Sequence, residues 1–266
     1  MSRNATVKAM KRPDDFFQFL TGFFDGMTKH SRFLVGMIVV LLAVGAASAA
    51  FMTKKDERTQ TARDALFRGR QELDKELKAI AVAKAPAVAP VKEIKDAKKD
   101  SKSEPKAPDA DSVAFEKLDV DMQLSAATIQ LKKVVGEFNG TRPAQDARFA
   151  LGDLYFNHGQ AEKAVSWYQG AVDGASGSAE KAFALYSLGY AQENAGKNAE
   201  AAQTFEKGMN LGEPSIKADM MLSMARVQEV LKKRTEALST YNLVISQFPN
   251  SEFSKRAEVR KSHLSE

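Results

Sequence analysis

His30, His158 and His263 are the only imidazoles in this 266-residue chain, and their spacing matches neither a metal site nor an acid–base pair. The chain has no cysteine, which excludes thiol catalysis, thiolate metal ligation and disulfides. No glycine-rich phosphate loop, nucleophile elbow or zinc signature occurs in it. Catalysis, a cofactor, a metal and a small-molecule substrate are therefore not expected. The residues with most to offer chemically are aromatic and mixed in charge, and they recur at one register. Phe149, Asp153, Phe156 and Asn157 form the first set, Tyr186, Tyr190, Glu193 and Asn194 the second, and Leu222, Arg226 and Glu229 the third. Rings beside carboxylates and amides suit the grip of an extended or partly unfolded apolar protein segment. A terminal carboxylate would instead call for clustered lysines and arginines, which this set lacks.

Residues that recur at one register require elements that repeat. Ala127, Ala164, Ala201 and Ala237 follow one another at intervals of 37, 37 and 36 residues, and four residues after each stands a bulky side chain: Leu131, Tyr168, Phe205 and Tyr241. A period of this size marks a helical solenoid, with the alanine placed where two helices cross closely. Twelve residues before Ala164 and Ala201 stand Gly152 and Gly189, the small residues expected at the same crossing on the first helix of each hairpin. Gly159 and Gly196 fall where that helix must stop and turn. The third unit has Ala225 in place of the glycine and Lys232-Lys233 at the turn, and it closes in Phe248-Pro249. A degenerate leading unit is visible when ATIQLKKVVGEFNGTRPAQDAR is laid over ALSTYNLVISQFPNSEFSKRAE, which matches Val134 to Val244 and Phe138 to Phe248.

Over residues 111–266 this pattern resembles the tetratricopeptide repeat family, and the related Sel1 and HEAT hairpin solenoids share its outline. The resemblance implies an all-α solenoid of helical hairpins, with the first helix of each hairpin lining a concave face that binds protein partners.

Residues 33–52, FLVGMIVVLLAVGAASAAFM, contain no charge over 20 positions, about the length that crosses a hydrocarbon core of roughly 30 Å. A mean hydropathy of −0.35 over the whole chain makes this a single anchor on a polar protein. Ala47-Ser48-Ala49 has the form of a signal-peptide cleavage site, but 32 residues precede the apolar run, long for a signal peptide, so retention as a transmembrane helix is expected. Six basic residues precede the span and six lie within the 20 residues after it, so the charge rule alone does not orient it. Long domains translocate largely regardless of charge, which favours a cytoplasmic tail and repeats on the far side. Within the tail (1–32), Phe16, Phe17, Leu20, Phe23, Phe24 and Met27 share one helical stripe, which suits a helix lying in the membrane interface.

Residues 53–82 read as a juxtamembrane helix with Leu66, Leu73, Leu77 and Ile80 near heptad spacing, and 83–110 as a disordered Lys/Ala/Pro linker that leaves the repeats tethered but free. Net charge is +3 for residues 1–52, +4 for 53–110 and −2 for 111–266, so the basic excess lies outside the repeats and argues for anionic lipid over nucleic acid.

A short tail with a Phe-Phe segment, a single span and a repeat array together resemble the YfgM-like ancillary subunits of the SecYEG translocon in Gram-negative inner membranes. The resemblance implies an inner-membrane protein with a cytoplasmic N-terminus and periplasmic repeats, whose partners are translocon components, periplasmic chaperones or secreted chains. The FP-S ending in SQFPNSEFSKRAE is also similar to repeats of the CpoB-like periplasmic coordinators, which would imply a structural adaptor in envelope assembly or division.

Overall fold

The computed structural model describes residues 31–84, 117–211 and 214–265. The Phe-rich stripe at 16–27 and most of the 83–110 linker lie outside these residues. The helices in chain order are α1 (Ser31–Lys84), α2 (Val120–Gln123), α3 (Ser125–Glu137), α4 (Arg142–Asn157), α5 (Ala161–Gly174), α6 (Ser178–Asn194), α7 (Asn198–Met209), α8 (Pro214–Val230), α9 (Arg234–Gln247) and α10 (Glu252–Ser265). By compactness the chain divides into residues 1–57 and 58–266.

In the first unit, α1 is long and apolar enough to cross a membrane. Its large side chains are uncovered by protein, with Leu42 69% and Phe51 71% exposed. Between residues 35 and 57 both hydroxyls are satisfied on the helix itself, Ser48 donating to the Val44 carbonyl and Thr53 to that of Ala49. That is the arrangement a segment without water requires.

The second unit is a run of antiparallel hairpins, α4–α5, α6–α7 and α8–α9, with α10 covering the last through Phe253 and Ala257. The expected crossings form. Tyr168 lies against Gly152 and Phe205 against Gly189, so closely that a Cβ on either glycine would come within 2.5 and 2.4 Å of the ring. The alanines opposite, Ala164, Ala201 and Ala237, are fully buried. Glycine is thus required at both crossings because the ring of the facing helix occupies the space of a methyl group.

Turn chemistry repeats as well. Gly159 and Gly196 both adopt φ 75°, and Lys232 stands at the same place in the third hairpin with φ 60°. Each terminates its helix with the same pair of bonds; in the third, the N–H of Lys232 reaches the Glu229 carbonyl and that of Lys233 reaches Gln228. A Cβ in this conformation costs about 1 kcal/mol. Lys232→Gly is therefore expected to raise stability slightly, by up to about 0.5 kcal/mol after the larger unfolded-state entropy of glycine is subtracted, which a urea titration would register as a higher midpoint.

Residues 58–84 belong to the same unit as the repeats. Leu66, Leu73, Leu77 and Ile80 join a core with Leu118, Val120, Leu124 and Leu131. Glu76 accepts from the Ala126 and Ala127 N–H groups at 3.0 and 3.1 Å, capping α3, while Arg58 donates to the Glu137 carbonyl at its other end. The stripe of Leu66, Leu73, Leu77 and Ile80 is the face buried here. This differs from repeats held away from the juxtamembrane helix by a free linker.

At this end Asp121 accepts from Lys163 (2.6 Å), Tyr155 (2.5 Å) and Lys132 (2.9 Å), and these bonds, that of Lys163 first, hold its carboxyl well below the usual carboxylate range. A folded-state pKa below the unfolded one means that the unfolded chain binds more protons in acid. The contribution of Asp121 is therefore present above about pH 4 and lost as pH falls towards the folded value. Asp121→Asn is expected to lower the urea midpoint at pH 7 and to lower it less at pH 2, as measured by parallel titrations.

Candidate functional site

At about 100° per residue, positions three before, one after, four after and five after the crossing glycine share one side of the first helix in each hairpin. The eleven residues named above divide into an open part and a part closed by internal bonds.

The open part lies over the first two clear hairpins. Phe149 and Phe183 face each other with ring centroids 5.2 Å apart, and Phe183 is 48% exposed. They line a groove of about 750 Å³ together with Arg70, Arg142, Asp146 and Asp153. Asp153 also borders a second depression, of about 390 Å³, lined by Phe156, Asn157, Tyr168, Tyr186 and Tyr190. Tyr168 donates to Asp153 at 2.6 Å, and burial, against that bond, raises the carboxyl pKa. In the larger groove Arg142 pairs with Asp146 at 3.1 Å and Glu180 at 3.3 Å, and Glu180 also accepts from the backbone N–H and hydroxyl of Ser176.

The closed part lies between α6 and α8. Tyr186 and Tyr190 both donate to Asp219, at 2.7 and 3.0 Å, and the hydroxyl of Ser223 donates to that of Tyr190 at 2.7 Å. Arg226 grips Glu193 in a two-pronged pair at 2.7 and 2.6 Å and lies over the Tyr190 ring. That pair raises the guanidinium pKa, while burial first and then the bond to Asp219 raise that of Tyr186. Glu229 accepts from Tyr241, and Leu222 is buried. Asn194 donates to the Tyr190 carbonyl of its own helix. The bonds of Tyr186, Tyr190 and Glu193 to Asp219, Ser223 and Arg226 join neighbouring hairpins, so their first role is to fix the angle between repeats.

Sequence reading missed Asp146, Phe183 and Asp219, although each stands six residues before its crossing glycine or alanine and so on the same face. It also missed the internal pairing. Tyr186–Asp219, Tyr190–Ser223 and Glu193–Arg226 each join residues 33 apart, which is the 36-residue stride from Gly189 to Ala225 less three positions, about one helical turn. A search for polar pairs at that separation would have found them. Neither His158, buried at the α4–α5 turn, nor any cluster of three metal-ligating side chains among the described residues adds a catalytic feature to this face.

Profiles of the tetratricopeptide repeat match residues 130–179, 183–207 and 219–251. The hairpins are tetratricopeptide repeats. No curated protein matches the chain. The matched stretches take in α4–α5 and most of the next two hairpins, and they begin inside α3. Tetratricopeptide repeats are protein–protein interaction modules and are generally non-catalytic. The protein therefore joins such a module to one N-terminal helix apolar enough to cross a membrane.

Proposed function

We propose that this protein is a single-pass adaptor of the bacterial inner membrane whose tetratricopeptide repeats, on the periplasmic side, hold extended or partly unfolded apolar segments during protein export or quality control. The observation that carries the reading is the open groove lined by Phe149 and Phe183, with its paired rings beside polar groups and a volume of about 750 Å³. Apolar side chains of a passing segment pack onto the exposed side of this ring pair, and charged rims discourage indiscriminate aggregation. The anchoring helix would keep the groove near the membrane where exported chains emerge. Secreted chains, translocon components and periplasmic chaperones are the partners of this reading, with lipid contact through residues 14–52.

The side of the membrane decides the biology. A reporter active only outside the cytoplasm, fused after Glu266, is expected to be active on a chain that keeps its N-terminus. A stable but inactive fusion would place the repeats in the cytoplasm and overturn the export role.

A further inference from the structure

Residues 58–84, ahead of the long insertion, occupy the place of a first helix in a tetratricopeptide hairpin. Gly152 lies under Tyr168 and Gly189 under Phe205, and in both cases the ring stands four residues after the crossing alanine. Gly69 has the same relation to Leu131, four residues after Ala127, with a built Cβ 3.0 Å from the leucine side chain. The register agrees on either side. Leu66 stands where Phe149, Tyr186 and Leu222 stand, three residues earlier, and Arg70 stands where Asp153, Tyr190 and Arg226 stand, one residue later. The first hairpin is thus α1–α3, split by a segment of about 40 residues in place of a short turn.

Arg70 consequently reaches the concave face, where it lines the groove with Phe149 and Phe183. The other charged groups there are already engaged: Arg142 with Asp146 and Glu180, and Asp153 with Tyr168. Arg70 is exposed and has no ion pair among the described residues. Among the described residues Arg70 is therefore the charged group of the groove that has neither an ion pair nor a hydrogen bond, a cation beside two phenyl rings, while the three carboxylates are held by Arg142, Ser176 and Tyr168. We infer that the binding groove is completed across the insertion by the membrane-proximal helix, and that Arg70 selects protein segments carrying an Asp or Glu next to an apolar side chain packed on the Phe149–Phe183 ring pair. This rests on the reading of the concave face as a segment-binding surface, and adds to it which segments are preferred and which helix prefers them.

The test uses the full chain in nanodiscs and two fluorescein-labelled ten-residue peptides with a Phe-Leu-Phe centre, flanked by Asp in one and Asn in the other. The Asp peptide is expected to bind more tightly by roughly three- to fivefold, the size of an exposed ion pair, with the difference shrinking as salt is raised. Arg70→Ala should remove the difference, chiefly by weakening the Asp peptide. Arg70→Lys should keep part of it, and Arg70→Glu should reverse it. Phe183→Ala should weaken both peptides alike. Equal binding of the two peptides, undisturbed by Arg70→Glu but lost in Phe183→Ala, would overturn the role of Arg70 and leave the groove standing. Binding of neither peptide, or binding indifferent to Phe183→Ala, would overturn the groove together with it.

Discussion

Gly189→Val is expected to be among the most damaging single substitutions in the repeat domain. A Cβ at this position would lie 2.4, 2.7 and 2.8 Å from three atoms of the Phe205 ring. The ring has nowhere to go, because it is fully buried, packed with Ala182, Met220 and Val227, and held edge-on to Tyr190 at 5.5 Å. Either α6 and α7 move apart or Phe205 leaves its rotamer, and overpacking of this kind costs about 1–3 kcal/mol or more. A loss of about 3 kcal/mol lowers the melting temperature by roughly 6–12 °C in a domain of this size. Tyr190 also carries the Asp219 and Arg226 contacts, so displacement should spread to the next repeat. The control is Gly136→Ala in α3, where a Cβ meets nothing within 4 Å. There the better helix propensity of alanine should raise stability by up to about 1 kcal/mol. Thermal melts followed by circular dichroism should therefore move in opposite directions for the two variants, whereas similar shifts would deny the close crossing.

Leu131→Ala should be comparably severe, and for a reason that concerns the membrane-proximal helix. Leu131 is fully buried, in a core to which residues 58–84 contribute Leu66, Leu73, Leu77 and Ile80. Truncating a buried leucine costs about 2–5 kcal/mol, through lost burial and the cavity left behind. If the helix before the insertion stood apart, one side of Leu131 would face solvent and the same change would cost below about 1 kcal/mol. Urea titration of the full chain separates the two. Hydrogen exchange adds a second reading: amides of residues 60–80 should be protected in the parent chain and lose protection in Leu131→Ala.

Much of this architecture was legible in the residues because backbone crossings leave a mark that no other packing leaves. Only a small residue opposite a large one lets two helices touch, so Gly152, Gly189 and the four alanines announced their hairpins. The turns at Gly159 and Gly196 were legible for the same reason, since a left-handed residue favours glycine. The split hairpin was not. Gly69 precedes its partner Leu131 by 62 residues where Gly152 precedes Tyr168 by 16, and no period survives such an insertion. The leucine stripe after Gly69 shows only that a helix has an apolar face, and leaves open what covers it. The candidate site was legible to a similar degree. Helical geometry placed Phe149, Asp153 and Tyr186 on one face, but which of these residues would be consumed by neighbours depended on the rotation between repeats. That rotation joins Glu193 to Arg226 and Tyr186 to Asp219, leaving Phe149 and Phe183 open.

The most direct measurement is site-specific photocrosslinking in native membranes, with a photoreactive phenylalanine at position 183 in the groove or at position 243 on α9, the second helix of the third hairpin, where Leu243 is 41% exposed. The expected result is protein adducts concentrated at position 183, identified by mass spectrometry as segments rich in apolar residues, and reduced when Phe149→Ala is added. Equal adduct yields at 183 and 243, or none at 183, would contradict the assignment of the concave face as the binding surface.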